Sequence, residues 1–115
     1  MRPILIVDDN ASFRAAAQAA LAERFTVVGE AADAAAGVAL ARRLRPSVVL
    51  VDVHLPDTDG FVVAEALAAE DHAPQVVLTS SSDRCDFEPL VRESPARGFI
   101  EKERLSAEAL AALLV

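Results

Sequence analysis

Val48, Val49, Leu50 and Val51 run without alternation into Asp52, and the stretch continues as VVLVDVHLPDTDG to Gly60. An unbroken, mostly β-branched run of this length reads as a strand covered on both faces, as in a parallel sheet. Asp52 then stands at the strand's carboxyl end, the edge where open α/β sheets take their ligands. Pro56, Asp57, Asp59 and Gly60 follow at once and reverse the chain. One carboxylate is therefore held on a rigid element and faces a crevice.

The same alternation extends from end to end. Ile4 to Val7 is an apolar strand closing on Asp8-Asp9-Asn10, with Asn10 placed to cap a helix whose apolar stripe is Phe13, Ala16, Ala17, Ala20 and Leu21. Thr26 to Val28 reads as a shorter second strand that closes at Gly29. Asp33 can cap a second helix facing inward through Ala36, Leu40 and Leu44, and Pro46 disfavours its continuation past Arg45. A third helix is expected over about Gly60 to Glu70, with Phe61, Ala64, Leu67 and Ala68 on one face. Val76 to Leu78 is a fourth buried strand ending at Thr79, followed by the turn-forming Ser80-Ser81-Ser82-Asp83. Pro89 and Pro95 confine the next helix to about Glu88 to Glu93. Gly98-Phe99-Ile100 is a short fifth strand leading to Lys102. Ser106 caps the last helix, with Leu105 placed to staple against Leu110. Leu113, Leu114 and Val115 either dock onto the sheet or lead into a longer helix or linker. Five strands alternating with five helices give an α/β, doubly wound parallel sheet with right-handed crossovers.

Composition narrows the function. The 115 residues make one domain, 1–115, and the net charge of -7 argues against a nucleic-acid surface. No apolar run is long enough to span a membrane, and Met1-Arg2-Pro3 enters a strand directly, leaving no expected signal peptide. Cys85 is the only cysteine, a bystander thiol that fits a cytoplasmic chain. His72 lies in a polar loop and is expected to be solvated.

The segments after strands one, three, four and five emerge on one edge, carrying Asp8-Asp9, Asp52, Thr79-Ser80 and Lys102. Taken singly these are a helix-start pair, a turn residue, a strand-end hydroxyl and a surface lysine. Taken together they are a set of mutually repelling carboxylates that a divalent cation would compensate, and oxygen ligands suit Mg²⁺. A cation, a lysine and a hydroxyl around one carboxylate are the parts that phosphoryl transfer uses, with Asp52 as in-line nucleophile.

LIVDDN at Leu5 to Asn10, VVLVDVHLPDTDG at Val48 to Gly60, VVLTS at Val76 to Ser80 and GFIEK at Gly98 to Lys102 closely resemble the receiver domain of two-component response regulators. The resemblance covers essentially the whole chain and implies a flavodoxin-like strand order of 2-1-3-4-5. It implies that Asp52 accepts a phosphoryl group from the phosphohistidine of a sensor kinase or phosphotransfer protein. It further implies a Mg²⁺ site made by Asp9 directly, by Asp8 through water, by Asp52 and by the backbone carbonyl of His54. Thr79 matches the switch hydroxyl, Phe99 the aromatic that turns inward, and Lys102 the phosphoryl-contacting lysine. His54 and Ser81 occupy positions that tune dephosphorylation. A partner, an output domain or a second copy of the chain would dock on the face of the fourth helix, fifth strand and fifth helix. The chain would then be a switch that catalyses only its own phosphoryl transfer and autodephosphorylation, not a turnover enzyme.

Three features depart from that pattern. Glu103 stands where the family usually has a proline after the lysine, Phe99 lacks a tyrosine's hydroxyl, and the Ser81-to-Pro95 segment differs most. Two enzyme-like or cofactor-carrying alternatives are disfavoured by the residues themselves. A haloacid-dehalogenase-like phosphatase wants a second Asp where His54 stands. A flavin carrier wants a hydroxyl-rich phosphate loop where Asp8-Asp9 would repel phosphate. A pseudo-receiver acting as a phosphorylation-independent interaction module keeps the fold but normally lacks one of these site residues, and none is missing.

Overall fold

The computed structural model describes residues 1–81 and 87–115. The Ser82-Asp83 part of the expected turn and Cys85 lie outside the described residues. Ten principal elements alternate: β1 Arg2–Val7, α1 Ala11–Leu21, β2 Phe25–Ala31, α2 Ala34–Leu44, β3 Val48–Asp52, α3 Gly60–Ala68, β4 Gln75–Ser80, α4 Glu88–Glu93, β5 Gly98–Glu101 and α5 Ala107–Ala112, with a 3₁₀ turn over Lys102–Arg104. The strands form one sheet in the order β2-β1-β3-β4-β5, every pair parallel.

Strand periodicity splits the apolar residues between two layers. Leu5, Val7, Val49, Val51, Val76, Leu78 and Phe99 face α2 and α3, together with Ala34, Ala41, Val63, Ala64 and Leu67. Ile4, Val48, Leu50, Val77 and Ile100 face α1 and α5, with Leu21, Ala107 and Leu110. Val48 to Val51 are wholly inaccessible, as an unbroken run covered on both sides requires. Each such side chain contributes about 1.5–3 kcal/mol of burial, so β3, like the equally buried Ile4 to Val7 of β1, is a firmly held strand on which to mount a carboxylate.

Register decides which residues meet at the carboxyl edge. Val7 pairs with Val51, Asp52 with Thr79, and Ser80 with Glu101. The residues just beyond β1 and β5, Asp8 and Lys102, therefore emerge beside Asp52.

Several helix faces and one strand end differ from the sequence-based expectation. β2 continues through Gly29 to Ala31, and its register against β1 shifts between Val27 and Gly29. Gly29 marks close packing rather than a stop, because a Cβ there would lie 2.8 Å from Leu44 Cδ1 and 3.3 Å from Leu5 Cδ1. On α2 the buried residues are Ala34, Gly37 and Ala41; Ala36 and Leu44 are exposed and Leu40 only half-buried. This helix lies so close to β1 that a Cβ on Gly37 would meet Val7 Cγ2 at 2.8 Å, so small residues form its inner face. On α1 the stripe narrows to Phe13, Ala17 and Leu21, with Ala16 and Ala20 exposed. α3 ends at Ala68 and buries Val63 in place of Ala68. α4 spans Glu88–Glu93 as expected, and Leu113 and Leu114 pack against the α1–α5 layer.

Candidate functional site

Asp52 is fixed from both sides of the chain. Its side-chain Oδ1 accepts from the His54 amide at 2.9 Å, and Val53 N donates to Thr79 O at 2.9 Å, tying the loop to β4. A Cβ on Gly60 would lie 2.6 Å from the Asp52 carbonyl oxygen, so only glycine lets α3 begin against the backbone of Asp52. Leu55 N donates to Thr58 O, and His54 bridges to Asp59, so the intervening loop folds back as a tight reversal. Asp59 caps α3 by accepting from Val62 N at 3.0 Å.

Asp8 is held as tightly. Its Oδ1 accepts from Asn10 N at 2.8 Å, while Asn10 caps α1 through Phe13 N. Arg14 Nη1 donates to the Asp8 carbonyl at 2.6 Å and its Nε pairs with Glu30 on β2 at 2.9 Å. The carboxylate oxygens of Asp8, Asp9 and Asp52 lie within 4.8 Å of one another; Asp8 and Asp52 are buried and Asp9 is exposed.

Lys102 is the compensating cation. Its Nζ lies 2.8 Å from Asp8 Oδ2 and 3.0 Å from Asp52 Oδ2, and 4.5 Å from the centroid of the Phe13 ring. The ammonium thus sits between two buried carboxylates and an aromatic face. Burial alone would lower its pKa, but its bonds to Asp8 and Asp52 and their charges outweigh that and hold it above the ordinary lysine value. For Asp8 the balance runs the other way. Burial pushes its carboxyl above the ordinary range, helped by the Asp52 charge and opposed by Lys102 and the Asn10 amide. Asp8 Oδ2 is buried, with the Lys102 ammonium as its ion-pair partner.

Three carboxylates against one ammonium leave a negative surplus, and the buried Asp8 oxygen still has coordination capacity. The residues present therefore fit a divalent cation with oxygen ligands, of which Mg²⁺ is the type that keeps water and needs few carboxylates.

The other expected residues are placed as follows. Thr79 is buried, and its Oγ1 donates to Ile100 O at 2.6 Å, a bond to β5 rather than to the carboxylates. Phe99 is buried in the α2–α3 layer, whereas the side chains of His54 and Ser81 are exposed at the rim. Glu103 lies in the 3₁₀ turn after β5, and no cis peptide bond occurs among the described residues. His72 is exposed, as expected, beside a cleft of about 210 Å³ at the other edge of the sheet, away from the carboxylates.

Three contributors were not legible as site residues. Phe13 reads as a helix-stripe apolar residue, yet its ring supports Lys102. Arg14 carries no motif signal. Asp57 reads as a turn residue, yet its carboxylate accepts from Ala34 N at 2.9 Å and Ala35 N at 3.1 Å, pinning the loop after Asp52 to the start of α2. Those amide bonds, Ala34 first, hold the Asp57 carboxyl below its ordinary range.

Comparison with known proteins agrees with this geometry. The transcriptional regulatory protein PdtaR of Mycobacterium tuberculosis is 36% identical over 102 residues, covering 88% of this chain and 49% of that protein. A protein-glutamate methylesterase/protein-glutamine glutaminase of Anaeromyxobacter dehalogenans is 42% identical over 84 residues, covering 70% of this chain and 25% of that protein. The chain thus spans about half the length, or less, of these relatives. The BeF3-activated N-terminal receiver domain of Klebsiella pneumoniae RstA superposes with a TM-score of 0.83 at 28% identity, over 96% of this chain and 94% of that one. Residues 4–114 match the response regulator receiver domain as a family. With the 2-1-3-4-5 sheet and its acidic carboxyl edge, the match makes this chain a member of the response regulator receiver domain family of two-component systems.

Proposed function

We propose that Asp52 is the phosphoacceptor of this receiver domain. The observation that carries this reading is the buried Asp52 carboxylate held beside Asp8 by one shared ammonium, Lys102, at the carboxyl edge of the sheet. An Asp52 oxygen attacks the phosphorus of a kinase's phosphohistidine, the P–N bond breaks, and its electron pair returns to the imidazole. Asp52 then carries an acyl phosphate. A divalent cation held by Asp8, Asp9, Asp52 and the His54 carbonyl would supply positive charge for the phosphoryl oxygens. Lys102, already fixed beside Asp52, supplies further positive charge to the transferred group. Thr79 reaches that group by exchanging its bond to Ile100 O for one to a phosphoryl oxygen. Water later attacks phosphorus, the P–O bond to Asp52 breaks, and inorganic phosphate leaves. His54 and Ser81, exposed at the rim, set the rate of that step; an unchanged decay rate in His54→Ala would contradict the His54 part.

The domain acts as a switch on itself and has no other substrate. Its partner is a histidine kinase or phosphotransfer protein in the cytoplasm, and the α4–β5–α5 face addresses an output domain, a partner or a second copy. No helix among the described residues is long and apolar enough to cross a membrane.

Intact-protein mass spectrometry after incubation with Mg²⁺ and acetyl phosphate tests this reading. One added phosphoryl group, abolished by EDTA and by Asp52→Asn, is expected. An adduct that survives Asp52→Asn would place the chemistry elsewhere.

A further inference from the structure

Phe87 directly precedes α4, and its ring touches two others. It lies 5.5 Å from the His54 ring, edge to face at 66°, and 5.9 Å from the Phe99 ring, tilted by 37°. His54 is bonded through its amide to Asp52 Oδ1. Phe99 sits on β5, where Thr79 Oγ1 bonds the carbonyl of the next residue. Three rings therefore join the backbone that holds Asp52 to the strand that Thr79 touches, with the start of α4 in the middle.

Apart from these rings, α4 is held through Val91, which is half-buried and packs against the α2–α3 layer. It buries no residue, lacks a side-chain cap and carries Pro89 in its first turn. Aromatic pairs add specific attraction to area burial, so the two ring contacts of Phe87 contribute to anchoring this short helix. Phe99 is buried within the sheet layer at 7% exposure, whereas Phe87 is half-buried at the start of α4.

We infer that Phe87 is the positioning residue that couples Asp52 to α4, through its contact with His54. A phosphoryl group on Asp52 draws the imidazole N–H of His54 toward its oxygens and away from the Phe87 ring. Phe87 then shifts and carries the first turn of α4 with it. The inference rests on Asp52 being the phosphoacceptor.

The test is a series of amide NMR spectra of the chain with Mg²⁺ and beryllofluoride, read beside the ¹⁹F signal of bound fluoride. The Leu90 and Val91 amides of α4 are expected to shift in the unaltered chain. In Phe87→Leu that response should fall by roughly half or more with the bound-fluoride signal retained, and Phe87→Tyr, which keeps the ring, should restore it. An undiminished α4 response in Phe87→Leu, with fluoride bound, overturns the inference alone. No bound fluoride in the unaltered chain overturns the phosphoacceptor reading as well.

Discussion

The loop after β3, with the starts of α2 and α3 that it joins, and the short helix after β4 are held in opposite ways. α2 starts on Asp33, which accepts from Ala36 N, with two more amides satisfied by Asp57 from another loop. α3 starts on Asp59 and buries Gly60, Val63, Ala64 and Leu67. α4 has neither a side-chain cap nor a buried residue. On the proposed function, positioning a nucleophilic carboxylate requires stiffness, and reporting its state requires an element that can move at little cost. The two regions divide those requirements between them.

That contrast can be broken most decisively by a matched pair of leucines. Leu67→Ala on α3 removes a fully buried side chain and should cost about 2–5 kcal/mol in urea denaturation. Leu90→Ala on α4, where the side chain is 51% exposed, should stay within about 0.5 kcal/mol. Comparable losses would show that α4 is as firmly anchored as α3.

Gly60→Ala probes the stiff region at its tightest point. The added methyl group would overlap the Asp52 carbonyl, so a loss of about 1–3 kcal/mol is expected, with slower phosphorylation by acetyl phosphate. Wild-type stability and rate would mean that the backbone of Asp52 yields easily. Phe13→Leu removes the ring beneath Lys102 and should lower stability by about 1 kcal/mol in EDTA. No change would make the ring a spectator.

The smallest effect concerns Asp57. Its folded-state pKa is depressed by the Ala34 and Ala35 amides, so the tie contributes stability above the unfolded carboxylate's pKa of about 3.9 and loses it as pH falls through the lower folded value. Asp57→Ala should therefore lower the urea midpoint at neutral pH, and the gap from the unaltered chain should narrow below about pH 4. A gap independent of pH would contradict the ionic part of the tie.

The ends of β1, β3, β4 and β5 are legible because unbroken apolar runs stop on polar residues, which places Asp8, Asp52, Thr79 and Lys102 on one edge. The α2 face was misread because hydropathy favours Leu40 and Leu44, whereas close approach to β1 selects Gly37 and Ala41. Gly29 was read as a strand end because its usual meaning is a turn, and only Leu44 above it reveals the packing role. Asp57 and Phe13 were missed for a common reason. Their partners, Ala34 and Lys102, lie far away in sequence, and no local pattern encodes a contact of that kind.

The most direct measurement is to reduce the phosphorylated chain with borohydride, which converts an aspartyl phosphate to homoserine, and to sequence the peptides spanning Leu5 to Asn10 and Val48 to Gly60. Homoserine at position 52, absent without Mg²⁺, is the expected result. Homoserine at Asp8, Asp9 or Asp57 in its place would contradict the assignment of Asp52 as the phosphoacceptor.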